Sequence, residues 1–201
     1  MSGYVYADEF YQPILKNVSR FITLTDDERD YFCSLLAPKT YKRKSFVLQA
    51  GQVCRHEYFV NRGCLKTSYT DDAGNEHVAM FGIEDWWAGD LYSVFTGQPS
   101  LYDIEALEDT EVLEIHKDYL EKLYERVPKF ERFFRILLQN AYVVQQYRII
   151  QNLSFTAEQR YAEFLKKYPG LEQRLPQKQI AAFLGITPEF MSKMKKRMLR
   201  S

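Results

Sequence analysis

The spacing of apolar and polar positions along this chain changes character near residue 41. Residues 5–36 have a helical pattern, in which Thr25 and Glu28 have the spacing of a capping box at a helix start. From about Tyr41 to Ile115, short runs rich in Val, Phe, Tyr and Leu are separated by single glycines. Such runs, at roughly ten-residue spacing, predict many short strands that form a β-roll, barrel or sandwich.

Two local signals refine the β-rich stretch. The turn sequence Asp72-Ala73-Gly74-Asn75 predicts a hairpin between strands at 64–70 and 77–81. A helix is expected to follow the last strand at 117–126. The chain is therefore expected to have an α+β organisation, with helices before and after a β domain.

One long helix is predicted from Pro128 to about Asn152, because this stretch has no glycine and no further proline. Its apolar residues step by four and three, the spacing of a coiled-coil seam, until the pattern meets Arg148. The helix is expected either to pack on the β domain of its own chain or to offer a dimer seam, and both are compatible because a helix has two faces. The predicted seam residues are Phe130, Phe134, Leu137, Ala141 and Val144.

The long helix is expected to break just after residue 152. Thr156 and Gln159 again have capping-box spacing, so a new helix is expected to begin there. It should run to about Lys167 and end at Tyr168-Pro169-Gly170. The break predicts a domain boundary near residues 152–156.

The segment 175–197 has the pattern of a helix-turn-helix. Ala181 is small where the second helix must pass close to the first. Gly185 supplies the left-handed residue that the turn requires. The apolar residues expected to bury the two helices against each other are Ile180, Leu184 and Ile186.

The second helix of this pair has a clear start and two different faces. Thr187 is expected to cap it, Pro188 occupies its first position, and Met191 and Met194 continue its buried face. The opposite face is polar and mostly basic, on a helix sized for the major groove of DNA. The alternative is a structural helical hairpin with a solvated basic face. The outward residues are Glu189, Ser192, Lys193, Lys196 and Arg197.

Composition is that of an ordinary soluble globular protein. Of 201 residues, 46% are hydrophobic and 27% are charged, which excludes a disordered or fibrous chain. No stretch approaches the ~20 apolar residues of a membrane span, and the N-terminus lacks the features of a signal peptide. Cys33, Cys54 and Cys64 are too few for a four-cysteine cluster and odd in number for a disulfide framework. We therefore expect a cytoplasmic protein with reduced thiols, without membrane contact, metal or cofactor.

The formal net charge is zero, but the charges are unevenly distributed. The stretch 60–115 has 12 acids against 2 bases, whereas 170–201 has 7 bases against 2 acids. This asymmetry predicts two parts with different partners, because a surface of one sign changes the local concentration of a charged ligand. The alternative is a solvated acidic face and a basic helix end that bind nothing.

Several segments together carry a family resemblance. The chain resembles the Crp/Fnr family of bacterial transcription regulators over roughly residues 10–198. The resemblance implies a double-stranded, RmlC-like β-roll of the cyclic-nucleotide-binding type at 1–127, a dimerisation helix at 128–152 and a helix-turn-helix DNA-binding domain at 153–201. The matching segments are Ala50-Gly51-Gln52, Tyr58-Phe59-Val60-Asn61-Arg62-Gly63, Gly89-Asp90-Leu91, Ile104-Glu105-Ala106 and Leu184-Gly185-Ile186-Thr187-Pro188-Glu189.

The chain departs from the family's cyclic-nucleotide pocket. In members that bind cyclic nucleotides, a Gly-Glu-Leu turn is followed about ten residues on by an arginine that pairs with the cyclic phosphate. Here the turn is Gly89-Asp90-Leu91, and the arginine position falls at about Ser100, followed by Leu101. A phosphate would meet no bidentate partner, because no basic residue lies between Lys66 and Lys117. We expect a degenerate effector pocket that does not take cyclic AMP or cyclic GMP.

Another kind of effector is compatible with the sequence. The β-rich stretch contains aromatic residues that either pack a core or line an apolar effector pocket. A pocket of that kind would take an uncharged or apolar effector of unknown identity. The aromatic residues are Trp86, Trp87, Tyr92, Phe95 and Tyr102.

The second departure lies at the end of the chain, four residues after Arg197. The family's β-hairpin wing follows the recognition helix, so the expected helix-turn-helix domain lacks this wing. Without phosphate contacts from a wing, affinity for DNA should rest on the helices and on the dimer.

These features predict a homodimeric transcription regulator on a two-fold DNA site, with RNA polymerase as a candidate further partner. The alternative is a ligand-binding or protein-interaction module whose helix-turn-helix no longer reads DNA. An enzyme is not expected, because the sequence has no Ser–His–Asp arrangement, paired-carboxylate motif, phosphate loop or metal cluster. The residues expected to contact DNA are Gln177, Thr187, Pro188, Glu189, Ser192, Lys193, Lys196 and Arg197.

Overall fold

The chain begins with two short helices. The computed structural model describes residues 9–198, so residues 5–8 of the predicted helical stretch lie outside the described residues. Helix α1 spans Gln12–Ser19 and helix α2 spans Asp26–Ser34. Helix α2 ends before residue 36, where the predicted helical stretch ends. The reason is that Leu36 is the first residue of a strand and pairs with another strand.

The start of helix α2 is fixed by its own side chains. The Thr25 hydroxyl accepts a hydrogen bond from the Glu28 backbone N–H, and the Glu28 carboxylate accepts one from the Thr25 N–H. The predicted capping box is therefore confirmed, and it satisfies two backbone donors that a helix start leaves open.

Short strands follow and form two four-stranded sheets. They are β1 (Leu36–Tyr41), β2 (Phe46–Leu48), β3 (His56–Arg62), β4 (Leu65–Thr70), β5 (Glu76–Gly82), β6 (Trp87–Ala88), β7 (Asp103–Ala106) and β8 (Thr110–His116). One sheet has the order β1-β8-β3-β6 and the other the order β2-β7-β4-β5. In the first sheet, antiparallel pairing places Leu36 opposite Ile115 and Phe59 opposite Leu113. The predicted β-roll is confirmed.

The predicted hairpin joins β4 to β5. The Asp71 backbone N–H donates to the carbonyl of Asn75 at 3.0 Å, and the Asp71 carboxylate accepts from the backbone N–H groups of Ala73 and Asn75. The carboxylate also lies 2.8 Å from the His77 Nε2 atom. These contacts, of which that with His77 contributes most, lower the pKa of Asp71 to about 2. The turn is thus organised around one aspartate.

Two helices belong to the β-rich part of the chain. Helix α3 (Leu91–Thr96) was not predicted, because six residues are too few for a helical period to stand out. Helix α4 (Lys117–Arg126) begins and ends where the sequence predicts it. It follows directly on the last strand of the roll.

A hydrophobic core lies between the β1-β8-β3-β6 sheet and helical segments. Phe32 of helix α2 and Phe130 are both fully buried, and their ring centroids are 4.5 Å apart. Trp87 packs edge-on against Phe59 and Phe134 in the same core. The aromatic residues of several elements therefore share one apolar interior.

The remainder of the described chain is helical. Its helices are α5 (Lys129–Ser154), α6 (Ala157–Lys167), α7 (Leu171–Arg174), α8 (Gln177–Leu184) and α9 (Pro188–Met198). Both predicted side-chain hydrogen bonds of the Thr156–Gln159 capping box are present, which confirms the break before α6. Within residues 9–198 no helix is both long and apolar enough to cross a membrane.

The chain divides into two compact units. The first unit comprises the described residues up to Thr67 together with Phe81–Gln139. The second unit comprises Ser68–Met80 and the described residues from Asn140 onward, so the β4–β5 hairpin belongs with the C-terminal helices. The functional boundaries predicted from sequence, after residues 127 and 152, stay a prediction.

Truncation of Phe130 should show that it is a core residue. We expect Phe130→Ala to lower the free energy of unfolding by about 3–5 kcal/mol, because it leaves a cavity in a packed aromatic core. Phe95→Ala is the matched control, since Phe95 belongs to the same unit but is 69% exposed, and it should change stability by no more than about 0.5 kcal/mol. Urea unfolding followed by circular dichroism measures both. Equal effects of the two substitutions would contradict the assignment.

Candidate nucleic-acid interface and effector region

Helices α8 and α9 pack as the predicted helix-turn-helix pair. Ala181 is fully buried between them, with Met191 and Met194 of α9 buried on the facing side. Gly185 has φ +65°, a left-handed conformation that places the chain at the start of the second helix without strain. Ile186, expected to be buried, is only half-buried because it lies in the turn and not on either helix.

The start of α9 is capped as the sequence predicts. The Thr187 hydroxyl accepts a hydrogen bond of 3.1 Å from the Phe190 backbone N–H. Pro188 is the first residue of the helix, where its missing N–H costs nothing. Glu189 lies in the first turn, where the helix dipole favours a negative charge. Thr187, Pro188 and Glu189 are all exposed, as is Gln177 at the start of α8.

The outward face of α9 is less uniformly cationic than the sequence suggests. Lys193 and Lys196 are exposed and form no ion pair within residues 9–198, and Ser192 is half-buried beside them. Arg197 is exposed but forms an ion pair with Glu158 at the start of α6. Lys193 and Lys196 are therefore the cations of this face that form no ion pair with a carboxylate of the described residues.

A neighbouring lysine is held by the protein. Lys195 forms an ion pair with Glu172, and Glu172 also accepts a hydrogen bond of 2.5 Å from the Tyr161 hydroxyl. Both contacts lower the pKa of Glu172, against the effect of its partial burial. This network joins α6, α7 and α9 and uses one basic residue of α9 for structure.

An aromatic residue on α9 was missed by sequence reasoning. Phe190 follows Glu189 and is 44% exposed, although it is a large apolar side chain. Its position one residue before the buried Met191 places it at the flank of the buried face. Helical spacing alone could not have shown this exposure, because Phe190 lies four residues before the buried Met194 and so about 40° from it on an ideal helix.

Arg148 ends the predicted seam of α5 and has a structural role of its own. Its guanidinium donates to the carbonyl oxygens of Val78, Ala79 and Phe183 at 2.5–3.2 Å. It also lies 4.0 Å from the centroid of the Phe183 ring. One arginine therefore joins the β5 strand, α5 and α8 inside the second unit.

A second arginine fixes the end of α8. Arg160 of α6 donates to the carbonyl of Leu184 at 3.1 Å and to that of Phe155 at 2.7 Å. The Leu184 carbonyl is one of the last four of its helix, and these lack partners inside the helix. The arginine satisfies it and holds the turn of the helix pair in place.

The predicted seam of α5 lies mostly against its own chain. Phe130 is fully buried, so it cannot contact a second chain, and its assignment to a dimer interface is corrected. Phe134 and Leu137 are half-buried and pack on the core of the first unit. Ala141 and Val144, further along, are exposed. The four-three spacing arises because the helix begins as a core element.

A different stripe of α5 is apolar and exposed. Tyr142 is 65% exposed and Leu153 is 81% exposed. Leu138, which precedes Tyr142, and Ile149, which lies between the two, are also exposed. These residues step by four, seven and four, which places them within about 60° of one another and about 120° from the buried side. Sequence reasoning followed the first stripe because it starts with phenylalanines. The exposed stripe consists of Leu138, Tyr142, Ile149 and Leu153.

The predicted effector turn caps helix α3. Asp90 is its N-cap residue, and its carboxylate accepts a hydrogen bond of 3.1 Å from the Tyr92 backbone N–H. Asp90 is only 4% exposed, so its carboxylate lies inside the protein and not at an open pocket wall. Gly89 precedes it and Leu91 follows as a partly exposed first residue of the helix.

At the position of the family's arginine, the serine side chain is buried and already hydrogen-bonded. Ser100 is buried, and its hydroxyl donates to the Tyr102 carbonyl at 3.1 Å and accepts from the Tyr102 N–H at 3.0 Å. Its backbone pairs with Gly51 and Gln52. Leu101 is 64% exposed. The Ser100 hydroxyl is thus used in a local turn.

The aromatic residues proposed for a core or a pocket lie in different surroundings. Trp87 belongs to the core of the first unit, in contact with Phe133 and Phe134. Tyr92 and Phe95 of α3 are exposed. Trp87 therefore does not share an apolar pocket with Tyr92 and Phe95.

Comparisons with known proteins agree with this architecture. Residues 38–127 match the family model of the cyclic nucleotide-binding domain. The regulatory protein HlyX of Actinobacillus pleuropneumoniae is 25% identical over 193 residues, covering 89% of this chain and 79% of that protein. The fumarate and nitrate reduction regulatory protein of Vibrio cholerae is 28% identical, covering 89% and 76%. The chain is similar to regulators along most of its length.

A solved structure shows the same fold. The c-di-GMP-responsive global regulator CLP of Xanthomonas campestris superposes with a TM-score of 0.71 at 14% identity, covering 88% of this chain and 92% of that one. The fold and the matched domain define a protein with a cyclic-nucleotide-binding-like β-roll, a long helix and C-terminal helices. The matched domain and these regulators support the resemblance to the Crp/Fnr family seen in the sequence.

Proposed function

We propose that this Crp/Fnr-type regulator is a homodimer that binds a two-fold DNA site through α9. The single observation that supports this most strongly is the α8–α9 pair, with its left-handed Gly185 turn, capped second helix and exposed basic face. A capped helix with polar side chains on its free face has the form of a major-groove recognition helix. RNA polymerase is the partner expected for such a regulator once it is on DNA.

The two uncommitted lysines of α9 have different positions along the helix. Lys193 lies with Glu189 and Ser192 in the half nearer the N-terminus, where base edges are reached. Lys196 lies nearly a turn later, where phosphates are the expected contacts. Arg197 contributes to DNA binding only after it gives up its ion pair with Glu158.

Substitution of the lysines should separate these roles. Lys193→Ala should weaken binding to a duplex selected by the wild-type protein from a random library by about 1–3 kcal/mol, with relaxed sequence preference. Lys196→Ala should weaken binding to selected and scrambled duplexes alike and make the salt slope shallower by about one. Fluorescence anisotropy at several salt concentrations measures both.

Lys16→Ala is the control, because Lys16 is an exposed lysine on α1 of the first unit. It should leave affinity and salt slope unchanged. If the wild-type protein binds no duplex even at low salt, the alternative holds, in which the chain is a ligand-binding or protein-interaction module. If the Lys193 and Lys196 variants bind like the control, α9 is not the reading helix.

Dimerisation is proposed through the exposed stripe of α5. Four large apolar side chains on one face of a helix cost free energy in water, and pairing with a second copy would bury them. The stripe avoids the side that packs on the core of the same chain. One helix then serves both its own unit and the dimer.

A charge on this stripe should dissociate the dimer without unfolding it. We expect the double variant Tyr142→Glu, Ile149→Glu to sediment as a monomer at micromolar concentration, because two buried carboxylates would face the partner helix. Asn140→Glu is the control, since Asn140 is exposed on the opposite side of α5, and it should stay dimeric. A wild-type protein that sediments as a monomer would contradict the proposal, as would a double variant that remains a dimer.

The effector region, which comprises Gly89-Asp90-Leu91 and Ser100-Leu101, is proposed to have lost the ability to bind cyclic nucleotides. A cyclic phosphate taken out of water needs a cation and hydrogen-bond donors to replace its hydration. At the family's arginine position the buried Ser100 hydroxyl is engaged with Tyr102, and the buried Asp90 carboxylate is engaged with α3. An uncharged or apolar effector, of unknown identity, is the class that suits this region.

Calorimetry should detect no micromolar binding of cyclic AMP or cyclic GMP. The reason is electrostatic, because 60–115 contains 12 acids and 2 bases and a phosphate would enter a negative surrounding. Titrations at low and physiological salt distinguish weak attraction from none. Micromolar binding that is lost in Asp90→Ala would overturn the proposal, because it would place the nucleotide at the effector turn.

A further inference from the structure

The carboxyl group of Glu57 lies against the backbone just before helix α3 and belongs to neither of the sites described above. Glu57 is on β3 between His56 and Tyr58 and is only 8% exposed. A Cβ atom built on Gly89 would lie 2.6 Å from the Glu57 Oε2 atom and 3.1 Å from its carboxyl carbon. The glycine therefore allows the carboxyl group to touch the backbone just before the N-cap of α3.

Asp90, the residue after Gly89, is also buried, and one of its two carboxylate oxygens lacks a hydrogen-bond partner. One of its oxygens caps the helix, but its Oδ2 atom is buried without a hydrogen-bond partner among the described residues. The Oε1 atom of Glu57 is also buried without such a partner. These two unsatisfied oxygens belong to the residue after Gly89 and to the residue that lies against Gly89, and they would be costly if both groups were charged.

The groups around Glu57 supply no compensating positive charge. Cys54 comes from the segment before β3, Tyr58 from β3 itself and Tyr124 from α4, and each of these three has its pKa raised in part by the Glu57 charge. On β8 the residue paired with Glu57 is the apolar Ile115. Burial first, and the Asp90 charge second, raise the pKa of Glu57 from its ordinary 4.5 to about 8.

We propose that Glu57 and Asp90 share one proton and together form a pH-sensitive latch on α3. The protonated Glu57 donates a hydrogen bond to the free oxygen of Asp90, which satisfies both groups and holds the N-cap. Loss of this proton to solvent leaves two like charges in the interior and releases the start of the helix. The latch closes at neutral pH and opens in mildly alkaline conditions.

The latch acts on a short segment, in which Ser93 and Val94 are the buried residues of α3. The Ser93 hydroxyl accepts from the Cys54 N–H at 2.9 Å and donates to the Gln98 carbonyl at 2.5 Å. By contrast Leu91, Tyr92 and Phe95 are exposed and add little burial. Release of the N-cap would therefore loosen the effector region while the sheets remain packed.

The direction of the pH effect follows from the raised pKa. The folded chain keeps a proton that the unfolded chain loses above pH 4.5, so stability falls as pH rises from about 4.5 to about 8. Glu57→Gln keeps the shape and a donor but cannot ionise, so it should remove this dependence. Glu57→Leu tests the same point if the amide variant fails to fold.

Two measurements on the full chain test the proposal. Carbon NMR of the glutamate carboxyls should show Glu57 titrating near pH 8 in the wild type, and about one pH unit lower in Asp90→Asn, which keeps an N-cap but removes the charge. Hydrogen exchange of residues 89–97, corrected for intrinsic rates, should lose at least tenfold protection between pH 7 and pH 9. In Glu57→Gln this protection should persist.

Glu111→Gln is the matched control, because Glu111 is a half-exposed glutamate of β8 that pairs with Arg62, and it should behave as wild type. A Glu57 titration near its ordinary value would overturn the latch. So would a midpoint that Asp90→Asn leaves unchanged, because the proton would then not be shared. Alkaline loss of protection that persists in both Glu57 variants would also overturn it.

Discussion

The start of helix α5 is buried in the core of its own chain, and much of the molecule's organisation follows from this constraint. Phe130 and Phe133 are fully buried there among residues of α2 and the β1-β8-β3-β6 sheet. A helix anchored on one side can offer only its other sides to anything else. The exposed apolar stripe from Leu138 to Leu153 is on another side. Folding of the first unit thus determines which face of α5 is available for a second chain.

The second unit is held together by polar contacts that apolar patterns do not show. Arg148 and Arg160 donate to backbone carbonyls of β5 and α8, and Glu172 joins α6, α7 and α9. Each contact gives a partner to a carbonyl or charge that would otherwise be unsatisfied. Several basic residues of this unit are therefore committed to its structure, as the contacts of Arg148, Arg160 and Lys195 show.

The effector region shows how a family fold changes when its charges change. The turn that begins α3 is kept, and Asp90 caps the helix as an acidic residue should. The serine at the arginine position closes into its own turn, and Glu57 adds a second buried acid below Gly89. The buried ionisable groups beside this turn, Asp90 and Glu57, are therefore both acids.

The sequence by itself determined the helices with caps, the short strands, the β4–β5 hairpin, and the α8–α9 pair with its turn glycine, because each depends on neighbours in the chain. Thr25, Thr156 and Gly185 act within four residues of themselves. Only the tertiary structure decided that Phe130 is core, that Arg197 is paired, and that Glu57 lies against Gly89. These contacts join residues more than thirty positions apart or depend on which face of a helix is covered. Local pattern contains neither kind of information.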